Sequence, residues 1–344
     1  MKALVLSGGG ALGAYEAGAI SVLCRHAEYD LVCGTSIGAL NAAFVAQKRF
    51  DDLQTTWANI AQSHVITLDA LPQRVWNFAN AVMSFRSKPP WSWVSGPCST
   101  VVDFFKIGPL SAVFRLLGAL SPAPIAKVLD NTVAFNRLVS ALVISGTNLT
   151  TGDSDAFYWF PNVADGTAFA GKHDKGVAHS LNDGNLRDAI RASAAIPFAF
   201  APVGVTTEPG TLDVFVDGGV ANNTPIGVAI DAGATDVTVI FLNPPDDHSP
   251  QTVVNLAQVG LTCFSVMQER ILELDFRAAR RVNQAIANGA GGDGSSGVRK
   301  PVKLNFVQPA KTLPITVLQF DRQDLIDQVY ALGVADATRA ITTF

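Results

Sequence analysis

The sequence predicts an α/β protein, a sheet with helices on both faces. Three observations carry this. Short apolar runs of strand length alternate with longer helix-like stretches along the whole chain. The first run, Ala3 to Leu6, meets a glycine cluster, Gly8, Gly9 and Gly10, and Gly13 then opens a helix-like stretch. The second run, Leu31 to Cys33, empties into Gly34-Thr35-Ser36-Ile37-Gly38, followed by Ala39 to Ala46, a strong helix former.

Taken in order, the remaining elements alternate in the same way. Phe50 to Ser63 reads as helical. A strand is expected at Leu138 to Ser145, with Phe157 to Phe160 as its partner. Leu186 to Pro197 reads as a helix stopped by its proline, and Phe198 to Val205 as a return to the sheet. A short strand, Asp213 to Val216, ends in Asp217 and two glycines, Gly218 and Gly219. Asn222-Asn223-Thr224-Pro225 leads into a further helix, and Val237 to Leu242 is a buried strand. A long helical stretch, Val253 to Asn288, precedes a glycine and serine loop, Gly289 to Gly297. Strands at Val302 to Val307 and Ile315 to Phe320 and a closing helix, Arg322 to Ile341, complete the chain. Residues 1–344 are read as one domain, with 64–130 as an aromatic-rich helical cap insertion and 250–344 as a C-terminal helical and strand extension.

Composition narrows the function. With 344 residues, 48% of them hydrophobic, the chain can bury a large core. A net charge of −4 supplies no basic field, so nucleic acid is not an expected partner. No apolar stretch reaches the roughly twenty residues of a spanning helix. The glycine cluster breaks any signal-peptide core, and the expected location is cytoplasmic, with or without peripheral membrane contact. Cys24, Cys33, Cys98 and Cys263 show no paired spacing and no metal pattern with histidine, so reduced thiols and no metal or cofactor are expected. The 64–130 segment is aromatic and mildly basic, with Arg74, Arg86, Lys88, Lys106, Arg115 and Lys127 against Asp69, Asp103 and Asp130. Such a surface suits contact with lipid. A helical subdomain that packs its aromatics inward explains it as well, and is the preferred reading.

Gly34-Thr35-Ser36-Ile37-Gly38 has the G-x-S-x-G form of a nucleophile elbow, which exposes a serine hydroxyl on a strained strand-to-helix corner. Gly8, Gly10 and Gly13 match the dinucleotide fingerprint G-x-G-x-x-G, but Asp30 precedes the second strand, where the fingerprint wants an acid closing it. An oxyanion hole built from Gly8, Gly9 and Gly10 backbone N–H groups fits better beside an elbow. A base is then needed. None of His26, His64, His173, His179 and His248 has a setting that marks it out. His248 has the chain order of a Ser-His-Asp triad but lies in a polar, proline-rich loop. Asp217, flanked by apolar strand residues and glycines, becomes a base if burial raises its pKa.

Gly8-Gly9-Gly10-Ala11-Leu12-Gly13, Gly34-Thr35-Ser36-Ile37-Gly38 and Asp217-Gly218-Gly219 together resemble the motifs of patatin-like phospholipases. Thr147 to Gly152, Ala192 to Pro197 and Asn222 to Pro225 are similar to that family as well. The resemblance implies a three-layer α/β/α fold related to α/β-hydrolases. It also implies a serine lipid acyl hydrolase of phospholipase A or lysophospholipase type, acting through an acyl-enzyme on phospholipid or another acyl lipid. Ser36 would be the nucleophile and Asp217 the base of a dyad, with no histidine. Gly13, Gly34, Gly38, Gly218 and Gly219 would support the motifs. The chain departs from many members at Leu12, where they carry Arg or Lys; the departure is read as packing against the following helix. The alternatives kept open are a soluble carboxylesterase with a Ser-His-Asp triad and a catalytically silent lipid-binding protein.

Overall fold

The computed structural model describes residues 1–63, 123–197, 199–208, 210–244 and 301–344, with scattered positions between 266 and 284. Its strands are β1 (Lys2–Leu6), β2 (Leu31–Thr35), β3 (Ala141–Asn148), β4 (Ser154–Trp159), β5 (Ala178–Ser180), β6 (Val203–Glu208), β7 (Thr211–Asp217), β8 (Asp236–Ile240) and β9 (Lys303–Val307). Its helices are α1 (Gly13–His26), α2 (Ile37–Ala46), α3 (Phe50–Ala58), α4 (Ala123–Thr132), α5 (Val163–Ala170), α6 (Leu186–Ser193), α7 (Ile226–Asp231) and α8 (Gln323–Ala340).

The strands form a sheet in the order β5-β4-β3-β2-β1-β8-β9. From β3 to β9 all neighbours are parallel, whereas β4 runs antiparallel to β3. Period-two alternation on β1 shows why the sheet is covered twice. Leu4 and Leu6 enter one apolar cluster with residues of α1, α2, α3, α6 and α8, while Ala3 and Val5 enter a second with residues of α5 and α7. Each fully buried leucine or valine contributes about 1.5–3 kcal/mol. A strand buried on both faces reads as an unbroken apolar run, which is why β1, β2 and β8 were legible.

The join that matters for function lies on β3. Its edge toward β2 pairs as far as Thr35 with Ser145, where β2 turns into α2. β3 runs on, and β7 takes over the same edge antiparallel, with Gly146 against Asp217. The expected strand at Leu138 to Ser145 is thus displaced. The N–H groups of Val139 and Ser140 donate instead to Ala46 O at the end of α2, and the polar residues Gly146 to Asn148 join because β4 and β7 supply partners.

Three other expectations shift. Ile315 to Phe320 is a loop rather than a strand, closed by Gln319 N–H donating to Thr316 O and Phe320 N–H to Leu318 O; β9 holds the place beside β8. The strand expected at Phe198 to Val205 starts only at Val203, because Ile196 O accepts from Ala199 N and Phe200 N in a turn. The helix expected at Leu186 to Pro197 ends at Ser193. The cap assigned to 64–130 falls outside the described residues up to 122, and α4 occupies its end. Most of the helical stretch Val253 to Asn288 and the loop Gly289 to Gly297 also lie outside them, as do Cys98, Cys263, His64 and His248.

α1 and α8 pack with backbone against backbone. A Cβ at Gly18 would stand 2.0 Å from Tyr330 O, and one at Gly333 2.0 Å from Tyr15 O. Tyr15 Oη, in the same contact, donates to Asp336 Oδ2 at 2.8 Å. Gly333→Val is therefore expected to force the helices apart and lower stability by at least about 3 kcal/mol, the upper part of the overpacking range, as read from urea unfolding. An unchanged unfolding midpoint would show that the helices separate freely.

Candidate active site

The elbow is built by close approach. A Cβ on Gly34 would lie 2.3 Å from Gly38 O, and one on Gly38 would lie 2.6 Å from Leu6 O, so β1, β2 and α2 meet with no room for side chains. Between them Ser36 caps α2 at φ 56° and ψ −125°, a conformation that an L-residue adopts only under constraint. Ser36 N–H donates to Ser193 Oγ at 2.9 Å, and Ser193 Oγ–H donates onward to Ser145 O at 2.6 Å. Thr35 Oγ donates to Asn222 O at 2.9 Å. The strained turn is thus held by α6, β3 and the segment after β7.

Asp217 ends β7 and is fully buried. Its backbone N–H donates to Ala195 O, and Thr147 Oγ donates to its carbonyl. Its carboxylate has two acceptor contacts: Oδ1 takes Gly219 N–H at 2.7 Å, and Oδ2 takes the Ser36 hydroxyl at 2.7 Å. Burial pushes its pKa up to about 7, against the downward pull of the Ser36 and Gly219 hydrogen bonds. The structure brings together the two residues that the sequence singled out, 181 positions apart.

The glycine loop passes over the serine. A Cβ on Gly8 would fall 3.1 Å from Ser36 Cβ. Gly8 N–H donates to Asn223 O at 3.0 Å, and Asn223 Nδ2 donates back to Gly8 O at 3.3 Å. The Gly8 N–H is therefore committed. Among the described residues the N–H groups of Gly9 and Gly10 have no acceptor. Gly10 has φ +57°, and its Cβ would collide with Val317 O, which also accepts from Ala11 N at 2.8 Å. Gly13 packs against Ile37 and Trp57, and Gly218 against Ser145 O. Leu12 is buried in the cluster it shares with α1.

Ser193, Asn223 and Val317 thus shape the site without having been assigned a role from sequence. The first two lie in motifs that resembled the family; Val317 carries no signal, because its contribution is a carbonyl. Of the described histidines, two are engaged with other groups and the third is exposed. His179 Nε2 stands 3.0 Å from Asp155 Oδ2, His173 Nε2 stands 3.1 Å from Ser154 O, and His26 is exposed at the end of α1. Asp30, off the end of β2, accepts from Lys2 N. Among the described residues no group of three or more His, Cys, Asp or Glu is placed to hold a metal ion.

The family model described as patatin-like phospholipase matches residues 4–230. The chain belongs to that family. The match spans β1 to α7 and so takes in the elbow, the glycine loop and Asp217. The patatin-like fold accounts for the parallel-dominated sheet flanked by helices, and lipid acyl hydrolysis is the chemistry the family implies. The crystal structure of VipD from Legionella pneumophila aligns with 99% of this patatin-like chain and 67% of its own, at 14% identity and a TM-score of 0.41. Among curated proteins no sequence matches. No helix among the described residues of this patatin-like protein is long and apolar enough to cross a membrane.

Two outcomes follow from this geometry. Ser193→Ala leaves the buried Ser36 N–H without an acceptor and is expected to destabilise by about 1–3 kcal/mol, measured by denaturant unfolding; no loss would mean that another group takes the N–H. Asp217, with its folded pKa raised, contributes most to stability below its unfolded pKa and loses that contribution as pH rises toward 7. Asp217→Asn should therefore gain stability over the parent protein as pH goes from 4 to 7, and the gap should level off above that. A gap independent of pH would show that the carboxyl is not burdened by burial.

Proposed function

We propose that the protein is a serine lipid acyl hydrolase of phospholipase A or lysophospholipase type, with Ser36 as nucleophile and Asp217 as general base. The observation that carries this reading is the 2.7 Å hydrogen bond from the Ser36 hydroxyl to a buried carboxylate whose pKa stands near neutrality. A base poised near the working pH accepts a proton readily and returns it readily.

Ser36 Oγ attacks the ester carbonyl while its proton passes to Asp217 Oδ2. The carbonyl oxygen becomes an oxyanion that the Gly9 and Gly10 N–H groups receive, donors that need no reorganisation when charge develops. The tetrahedral intermediate collapses, the C–O bond to the lipid alcohol breaks, and Asp217 gives its proton to the leaving oxygen. Water then attacks the acyl-serine, with Asp217 taking a proton and returning it to Ser36 Oγ. Gly219 N–H on Oδ1 keeps Oδ2 aimed at the hydroxyl throughout.

The test compares acyl release from phospholipid vesicles and from a soluble nitrophenyl ester. Ser36→Ala should lose activity on both, and Asp217→Asn should lose roughly 10³-fold on both, within the range for a general base. Survival of Asp217→Asn would turn the search to a histidine, with His64 and His248 the first to replace. In the parent protein kcat/KM should rise with pH through about 7 and then level, because Asp217 must be ionised to act. A profile flat from pH 5 to 9 would contradict an Asp217 base.

A further inference from the structure

Beneath the glycine loop lies a buried acid for which the reaction above has no use. Glu16, in the first turn of α1, is fully buried. Its Oε2 accepts from Asn41 Nδ2 at 2.9 Å, the Ser7 backbone N–H faces the carboxyl, and Oε1 has no hydrogen-bond partner. Burial drives its pKa well above the ordinary carboxylate range, against the downward pull of the Asn41 and Ser7 hydrogen bonds. An apolar side chain would fill this place at less cost, and such a residue persists where it positions something.

What it positions is visible in its partner. Asn41 belongs to α2, just over a turn beyond Ser36. Its Nδ2 also donates to Gly13 O at 3.1 Å, and its Oδ1 accepts from Trp57 Nε1 at 3.0 Å, so both ends of the amide are engaged. Trp57 is stacked on Phe320 and lies against the Cβ position of Gly13. The network therefore touches the glycine segment at both ends, Ser7 before it and Gly13 at its close, and ties both to the helix that Ser36 caps.

We infer that Glu16 and Asn41 form a clasp that sets the spacing between the glycine loop and Ser36, which makes Glu16 a positioning residue for the acyl transfer. This rests on the reading of Ser36 and the glycine loop given above. The clasp fixes donor and nucleophile relative to each other, and small misplacements of such groups are expensive in rate. Its effect belongs to kcat rather than KM, because the oxyanion exists only after attack.

The experiment uses the full chain with Glu16→Ala, Glu16→Gln and, as a control, Tyr15→Phe, which breaks the neighbouring hydrogen bond to Asp336 on the α8 side. Read out are kcat and KM on the soluble ester and amide hydrogen exchange over residues 7–16 and 34–46. Glu16→Ala should lower kcat about tenfold or more with KM little changed, and should speed exchange in both segments together. Glu16→Gln, neutral and able to accept from Asn41, should restore kcat. Tyr15→Phe should lower the melting temperature and leave kcat alone. A folded Glu16→Ala with parental kcat, a Glu16→Gln as impaired as Glu16→Ala, or a Tyr15→Phe that loses kcat in step with stability would each overturn the clasp. If Glu16→Ala does not fold, Trp57→Phe removes the indole donor to Asn41 along with part of the ring packed on Phe320 and Gly13: a fall in kcat with faster exchange in both segments supports the clasp, and an unchanged kcat, or a fall in kcat without faster exchange in both segments, overturns it. A parent protein with no hydrolytic activity sinks the dyad reading instead. Exchange then decides the clasp, supported if Glu16→Ala loosens both segments and overturned if it loosens only its own helix.

Discussion

The structure depends on one strand running farther than its neighbour. β3 continues past the point where β2 turns into the elbow, and the edge it leaves free is taken by β7. Because Thr35 pairs with Ser145 and Asp217 with Gly146, the acid occupies the next register position after the strand that delivers the serine. The Ser36 to Asp217 hydrogen bond is thus a consequence of sheet pairing, fixed by backbone ladders rather than by flexible side chains. Backbone ladders of this kind hold two side chains together with little freedom to drift.

That placement has energetic consequences. Ser36 sits in a backbone conformation that L-residues disfavour, and Asp217 carries a carboxyl into a site where burial raises its pKa. Neither would persist alone. The surroundings over-determine both: Ser193 takes the Ser36 N–H, Gly219 N–H and the serine hydroxyl satisfy the carboxylate, and Asn222 and Ala195 anchor the flanking backbone. The same desolvation that costs stability puts the carboxyl near the pKa a general base needs, so one physical cause has both effects.

The glycine loop follows the same logic from the other side. It lies within van der Waals reach of Ser36 and is clamped at Gly8 by Asn223, at Gly10 by Val317 and at Gly13 by Asn41. With Gly8 N–H committed to Asn223, the donors that remain are those of Gly9 and Gly10. Side chains are absent from the loop because the chain comes so close to its neighbours.

Much of this was legible in the sequence. Strands buried on both faces announce themselves as apolar runs, the elbow and the glycine cluster as short patterns with a steric cause, and Asp217 as an acid closing a strand before two glycines. The errors fall where local pattern and tertiary pairing part. Ile315 to Phe320 is apolar because it packs as a loop against the glycine segment, and the polar end of β3 is a strand because partners exist on both sides. The sequence by itself determined the alternation of elements and which residue types the chemistry requires. Only the tertiary structure decided that β7 follows β2 along β3, that Asn223 takes the Gly8 N–H and that Glu16 meets Asn41. These are pairings between distant segments: the first two run through backbone carbonyls and amides, which leave no trace in side-chain identity, and the third joins two polar side chains that only the fold brings together.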